Sequence, residues 1–379
     1  MTDEWAPATL AAQALGRVEP GTGALVPGIA PATTFLRDPD GGYRSGHSYA
    51  RPENPTFRHA EELLTVLEGG ADSMLFASGM AAATAVFQSL EPGDHVLVPR
   101  VMYWGLRAWV LDHCVRWGLA IEPVDMDDLG AVAAALQPGR TRLVWLETPA
   151  NPMWQITDIA AVAELAHQAG ARVAADSTVA TPILTRPLAL GADLVMHSAT
   201  KYLNGHSDVI AGTLTAARDD AWWARLKSVR HKQGGILGSF EAWLLLRGMR
   251  TLDLRVRHCC RSAHTLAERL ARHPSIDKVL YPGLPGFPGH ALAARQMTGG
   301  FGGMLSIRVR GDEAAAVATA ARVRLWKRAT SLGGVESLIE HRASIEGPGT
   351  PVPDDLLRLS VGIEAVDDLS ADLEAALGG

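Results

Sequence analysis

A chain of 379 residues with 47% apolar residues and mean hydropathy near zero can bury the cores of two domains, and no run approaches the ~20 apolar residues of a membrane span. A net charge of −6, with arginines interleaved among acids, gives no basic stripe and argues against nucleic acid as a partner. Cys114, Cys259, Cys260 and the scattered histidines lack disulfide or zinc spacing, and Met1-Thr2-Asp3-Glu4-Trp5 lacks the basic and apolar regions of a secretory signal, so a cytoplasmic protein without a metal is expected.

Residues 1–60 are rich in Pro and Gly with weak periodicity, the pattern of an extended arm that crosses to a partner subunit. From 61 to 245, helical and short apolar patterns alternate. Residues 60–67 and 158–169 read as helices, and 95–99 and 142–146 as strands. This alternation predicts an α/β fold, a mainly parallel sheet with helices on both faces. Residues 237–270 read as one long arginine-bearing helix, bent near Arg247-Gly248, that leads into a smaller C-terminal domain, 246–379. There 278–281, 303–309 and 357–361 read as strands of an α+β sheet.

Three segments carry chemistry. Residues 192–197 read as a buried strand, and Lys201 follows it among small hydroxyl residues, where α/β sheets bind ligands. An amine desolvated there has a lowered pKa and can form a Schiff base with an aldehyde cofactor; the alternative is a strand-to-loop turn with a snorkelling lysine. Residues 171–177 read as a second buried strand running into Asp176, whose carboxylate wants a cation. The protonated pyridine nitrogen of pyridoxal 5'-phosphate is one such partner; the alternative is a cap or turn. Residues 76–87 form a small-residue turn opening a helix, and the free first amides at Gly79 and Met80 can donate to a phosphate. The hydroxyls of Ser198, Thr200 and Ser78 complete that cradle, although small residues also serve tight packing.

With these segments in place, the chain resembles the cystathionine and methionine-metabolism group of fold-type I pyridoxal-phosphate enzymes: cystathionine γ-synthases, cystathionine β- and γ-lyases and homoserine sulfhydrylases. The similarity runs from about residue 25 to the C-terminus. It rests on Tyr49-Ala50-Arg51-Pro52, Ser78-Gly79-Met80, Glu147-Thr148-Pro149-Ala150-Asn151-Pro152, Asp176, Ser198-Ala199-Thr200-Lys201, Arg247-Gly248-Met249-Arg250, Ser331-Leu332-Gly333-Gly334 and Arg358-Leu359-Ser360-Val361-Gly362. The resemblance implies a seven-stranded-type sheet, pyridoxal 5'-phosphate, and Lys201 as general base. It also implies that Tyr49 and Arg51 reach the neighbouring subunit's cofactor phosphate, where a guanidinium fork suits a phosphate dianion. Tyr103 then stacks on the pyridine ring, Asn151 lies beside the ring's 3-oxygen, and Arg358 grips the substrate carboxylate. Ser331 lines the same pocket, and the assembly is a homotetramer of two catalytic dimers.

The branch of chemistry is divided. Leu332 follows the pattern of γ-acting members, whereas Thr330 stands where those members commonly carry glutamate. Arg107, four residues after Tyr103, has a spacing that resembles some β-lyases. The segment Ile339-Glu340-His341-Arg342-Ala343-Ser344 is unusually charged, as a solvated loop would be. The expected activity is a carbon–sulfur lyase on L-cystathionine or a related thioether amino acid in cysteine or methionine metabolism, with γ-replacement on an O-acylhomoserine close behind. A fold-type I aminotransferase would leave the Tyr-x-Arg and Ser-Leu-Gly-Gly motifs without explanation. A catalytically idle binding protein fits poorly with an intact Lys201 and Arg358.

Overall fold

Apolar runs build two sheets in the computed structural model, which describes residues 5–347 and 349–378. The larger comprises β1 (Asp72–Phe76), β2 (His95–Pro99), β3 (Ala120–Val124), β4 (Thr141–Glu147), β5 (Arg172–Asp176), β6 (Leu194–His197) and β7 (Gly212–Ala216). Their order is β1-β7-β6-β5-β4-β2-β3. Neighbours run parallel except at β7, which is antiparallel to both β1 and β6. Strands β2, β4 and β6 are buried at nearly every position, as strands covered on both faces must be. One face packs Met74, Phe87, Trp145 and Trp223, and the other packs Leu97, Val144, Val173 and Ile159.

The smaller sheet comprises β8 (Ile276–Leu280), β9 (Met304–Val309), β10 (Lys327–Arg328), β11 (Leu338–His341) and β12 (Leu356–Ser360), ordered β10-β11-β12-β9-β8. It is antiparallel apart from the β10–β11 pair. Its core joins Leu305 and Leu359 to Leu266, Leu369 and Leu373 on covering helices.

The register of the large sheet creates the site. Glu147 pairs with Asp176, and Asp176 with Met196. The ends of β4, β5 and β6 therefore bring both acids beside the segment that carries Lys201, at the carboxyl edge where open α/β sheets bind ligands.

Two expectations need correction. The helix expected over 237–270 is two helices, Ser239–Met249 and Leu252–Leu270, and the break falls at Thr251 (φ −112°, ψ 10°) rather than near Arg247-Gly248. Gly248 stays helical; its small size serves packing, since a Cβ there would lie 2.2 Å from the Asn204 carbonyl oxygen. At the break, the buried Arg255 guanidinium donates to the carbonyls of Gly248 (2.8 Å) and Tyr202 (2.7 Å), so the interrupted helix end is satisfied. Second, the charged segment 339–344 is not a solvated loop. It forms β11 and the helix Arg342–Glu346, and Glu340, His341 and Arg342 are buried.

The N-terminal stretch is divided. The helix Pro7–Gln13 seats Leu10 and Ala11 on its own chain, with Arg250 Nε donating to the Ala12 carbonyl. Beyond it Leu25 is 74% and Leu36 93% exposed.

Candidate active site

A cavity of about 300 Å³ opens at the carboxyl edge of the large sheet. It is lined by Ser78, Gly79, Met80, Tyr103, Asn151, Asp176, Ser198, Thr200, Lys201 and Leu332, together with Glu147, Thr178, Val179 and Ile210.

Lys201 lies four residues past the end of β6, and its Nζ donates to the Ser331 hydroxyl at 2.8 Å. Burial, reinforced by the Arg358 guanidinium and opposed by Glu340, brings the ammonium pKa down to about 8. Ser331 is held at φ +99°, a left-handed conformation costly for a residue with a side chain. Its carbonyl accepts from Arg358 Nη2 at 2.8 Å, so one strained residue touches both cations.

Asp176 closes β5. Its Oδ1 accepts from the Thr178 amide (3.0 Å) and hydroxyl (2.5 Å). Burial pushes the carboxyl pKa up, and the Thr178 bonds and the nearby His197 hold it down. Oδ2 accepts no bond among the described residues, so an acid facing the cavity is left for a cation. That matches a protonated ring nitrogen.

The phosphate end fits as well. In the helix Gly79–Gln88 the Ser78 hydroxyl accepts from the Ala81 amide at 3.0 Å, which leaves the amides of Gly79 and Met80 as free first-turn donors. Ser78 is thus committed as the helix cap. A Cβ on Gly79 would stand 2.7 Å from the Ser198 side chain, so only glycine lets the helix end and the Ser198 turn close on the cradle. Thr200 lines the cavity, but its hydroxyl donates to the Ala211 carbonyl (3.1 Å) and accepts from the Ala211 amide (3.0 Å), leaving Ser198 as the freer hydroxyl.

Glu147, the first residue of the Glu147–Pro152 motif, has a role that its sequence does not announce. Its Oε2 accepts from the Tyr103 amide at 2.7 Å and its Oε1 from the Asn151 amide at 2.9 Å. One buried carboxylate therefore sets the backbone of both residues assigned to the ring. Burial first, and the Asp176 charge second, push its pKa up to about 8. Thr178 was also missed; a hydroxyl two residues after an aspartate is its sequence signal.

Arg358 sits in β12 behind the cavity. It donates to the Asn151 Oδ1 (3.2 Å), the Ser331 carbonyl and Glu340 Oε2 (2.5 Å). Thr330 is exposed, and neither it nor Arg107 lines the cavity; Arg107 Nε is buried without a partner among the described residues. Tyr49 and Arg51 stand outside the cavity of their own chain, exposed and packed on each other with the guanidinium 5.6 Å from the ring.

Residues 8–378 match the family described as "Cys/Met metabolism PLP-dependent enzyme". The chain is 48% identical over 378 residues to a cystathionine gamma-synthase of Mycobacterium tuberculosis, covering 98% of this chain and 97% of that protein. It is 41% identical over 370 residues to a cystathionine beta-lyase of Coxiella burnetii, covering 95% and 94%. A crystal structure of cystathionine gamma synthase from Xanthomonas oryzae pv. oryzae in complex with aminoacrylate and cysteine superposes with a TM-score of 0.94 at 39% identity, covering 99% of this chain and 98% of that one.

Proposed function

The chain belongs to the Cys/Met metabolism family of PLP-dependent enzymes, and from that premise we propose that it is a carbon–sulfur lyase cleaving a thioether amino acid such as L-cystathionine. The observation that carries this reading is the cavity wall beyond Lys201 and Asp176. Leu332, Ile210, Val179 and Leu106 line it, and Lys201 is the one cation among the described lining residues. Such a wall suits the thioether segment of the substrate and offers no further cation to the lone carboxylate of an O-succinyl ester, whereas the distal carboxylate of cystathionine comes with its own ammonium.

Pyridoxal phosphate, when bound, supplies an electron sink that lets a bond at an amino acid's α-carbon break heterolytically. Asp176 keeps a negative charge where the ring nitrogen needs one. The Gly79 and Met80 amides and the Ser198 hydroxyl would hold the phosphate, and Tyr103 and Asn151 would hold the ring. Arg358 orients the substrate carboxylate, and Lys201, with its pKa lowered to about 8, is neutral in enough molecules near neutral pH to take the α-proton. Cleavage at Cβ consumes water and yields pyruvate, ammonia and homocysteine; cleavage at Cγ yields 2-oxobutyrate, ammonia and cysteine.

Assembly enters because the cavity of one chain lacks Tyr49 and Arg51. We assign residues 1–60 to an arm that carries them to a second subunit, 61–245 to the cofactor domain and 246–379 to the C-terminal domain, in a cytoplasmic homotetramer of two catalytic dimers. The exposed Leu25 and Leu36 support an intermolecular role for the arm. No helix among the described residues is long and apolar enough to cross a membrane.

A second reading, γ-replacement on an O-acylhomoserine, is favoured by the 48% identity to a protein named cystathionine gamma-synthase. The deciding assay gives the holoenzyme L-cystathionine and measures pyruvate and 2-oxobutyrate separately, then O-succinylhomoserine with cysteine. Either keto acid from cystathionine supports the lyase. Cystathionine made from the ester, with neither keto acid from cystathionine, overturns it in favour of the second reading.

A further inference from the structure

Behind the cavity, the buried charges of the small sheet form a single line. Arg358 and Glu340 face each other across β12 and β11 in register. Glu340 Oε2 accepts from Arg358 Nη2 at 2.5 Å and from Arg342 Nη1 at 2.8 Å, so one carboxylate oxygen is shared by two guanidiniums. At its far side Arg342 Nη2 donates to Glu346 Oε1 at 2.9 Å. Arg342 is among the largest fully buried side chains of the protein, and Glu340 and Arg358 are buried with it.

This arrangement poses a physical problem. An arginine that must receive an incoming carboxylate already has a carboxylate on it. Alone, Glu340 and Arg358 would form a neutral pair, and a substrate carboxylate would enter against Glu340. Arg342 draws on the same oxygen of Glu340, and Glu346 holds Arg342 in place. The line then reads plus, minus, plus, minus, with its net charge at zero and the second cation directly behind Glu340.

We propose that Arg342 is a positioning residue for substrate binding: by sharing Glu340 it leaves the Arg358 guanidinium able to carry a substrate carboxylate, and Glu346 tunes how strongly it does so. This rests on Arg358 being the carboxylate anchor, as argued above. It also links this line to chemistry at the other end of the site, because Arg358 reaches Ser331, whose hydroxyl holds Lys201, and Asn151. Charge changes at Arg342 therefore reach the carboxylate anchor without any contact with substrate.

The test uses the holoenzyme and two probes, L-alanine and ethylamine, which differ in the carboxylate. Binding of each is followed through the visible absorbance of the bound cofactor, and the ratio of the two dissociation constants measures carboxylate recognition. Arg342→Met strips the second cation and leaves the line at net minus one; the preference for alanine falls roughly tenfold or more. Glu346→Gln leaves it at net plus one, and the preference rises by a few-fold. Arg342→Met combined with Glu346→Gln returns the line to zero but leaves Glu340 to Arg358 alone, so the preference stays below the wild-type value.

Both single changes remove a buried partner and destabilise the fold, so a merely structural role moves both variants in the same direction. Opposite signs in the single variants, with the double variant still below wild type, support the proposal. Same-sign changes in the single variants, or a double variant at the wild-type ratio, overturn it. If Arg342→Met does not fold, Glu346→Gln and the double variant still decide. A wild-type enzyme that shows no cofactor absorbance, or no preference for alanine over ethylamine, refutes the underlying reading of the site instead.

Discussion

Glu147→Gln changes how stability depends on pH, and the direction can be worked from the site. In the native protein Glu147 is 6% exposed, and its carboxyl pKa rises from the ordinary 4.5 to about 8. Between those two values the folded chain holds a proton that the unfolded chain has released. The resulting stabilisation is full below pH 4.5 and is lost at about 1.4 kcal/mol per pH unit as pH rises toward about 8. Glutamine does not titrate, so that slope disappears from the variant. It also has one acceptor for two amides, and leaving either the Tyr103 or the Asn151 N–H unpaired costs about 1–3 kcal/mol. The variant is therefore the less stable protein at pH 5 and the more stable one at pH 8, with the curves crossing at roughly pH 6. Urea unfolding of cofactor-free protein, followed by tryptophan fluorescence from pH 5 to pH 9, measures both lines. Midpoints of wild type and variant that run parallel over that range would refute the assignment of a buried, protonated Glu147.

Three further outcomes are expected. Arg51→Ala and Lys201→Ala should each be inactive alone, yet mixed under subunit exchange they should recover about a quarter of wild-type activity, because half of randomly formed dimers carry one intact site; no recovery refutes the crossing arm. Thr178→Val removes the hydroxyl bond, one of the two that hold the Asp176 pKa down, and keeps the amide bond, so the acid limb of the pH–activity profile should move to higher pH; an unmoved limb separates Asp176 from that limb. Ser331→Gly relieves the left-handed strain and should stabilise the fold by about 1 kcal/mol, while loss of the hydroxyl on Lys201 lowers turnover roughly tenfold to a hundredfold. Thermal unfolding and steady-state rates check the two effects.

The elements legible in the sequence were those whose apolar pattern survives on its own. The strand at His95–Pro99 lies where its apolar run falls, and those expected at 142–146, 278–281, 303–309 and 357–361 differ by a residue or two at their ends. The run before Lys201 and the run into Asp176 likewise became β6 and β5. β7 gave no such signal because its sequence, Gly-Thr-Leu-Thr-Ala, is polar at alternate positions. Of its buried threonines, Thr215 meets a partner distant in sequence, Ser73 at 2.8 Å, and the Thr213 hydroxyl has no partner among the described residues. The segment around Glu340 misled for a similar reason. Periodicity treats charges as solvated, and here Glu340, Arg342 and Glu346 match one another within a few residues while Arg358 joins them from the next strand. Glu147 was hidden differently: its partners are backbone amides, which leave no compositional trace, whereas Thr178 is marked only by the aspartate two residues before it.

The Arg255 clasp bears on how the molecule can move. Three carbonyls converge on this guanidinium, those of Tyr202 and Leu203 just after Lys201 and that of Gly248 at the end of the preceding helix. A rotation of the small-sheet unit about Thr251 would pull the buried fork away from at least one of them and leave that carbonyl unpaired. The loop that carries Lys201 and the connecting helices are therefore held as one frame.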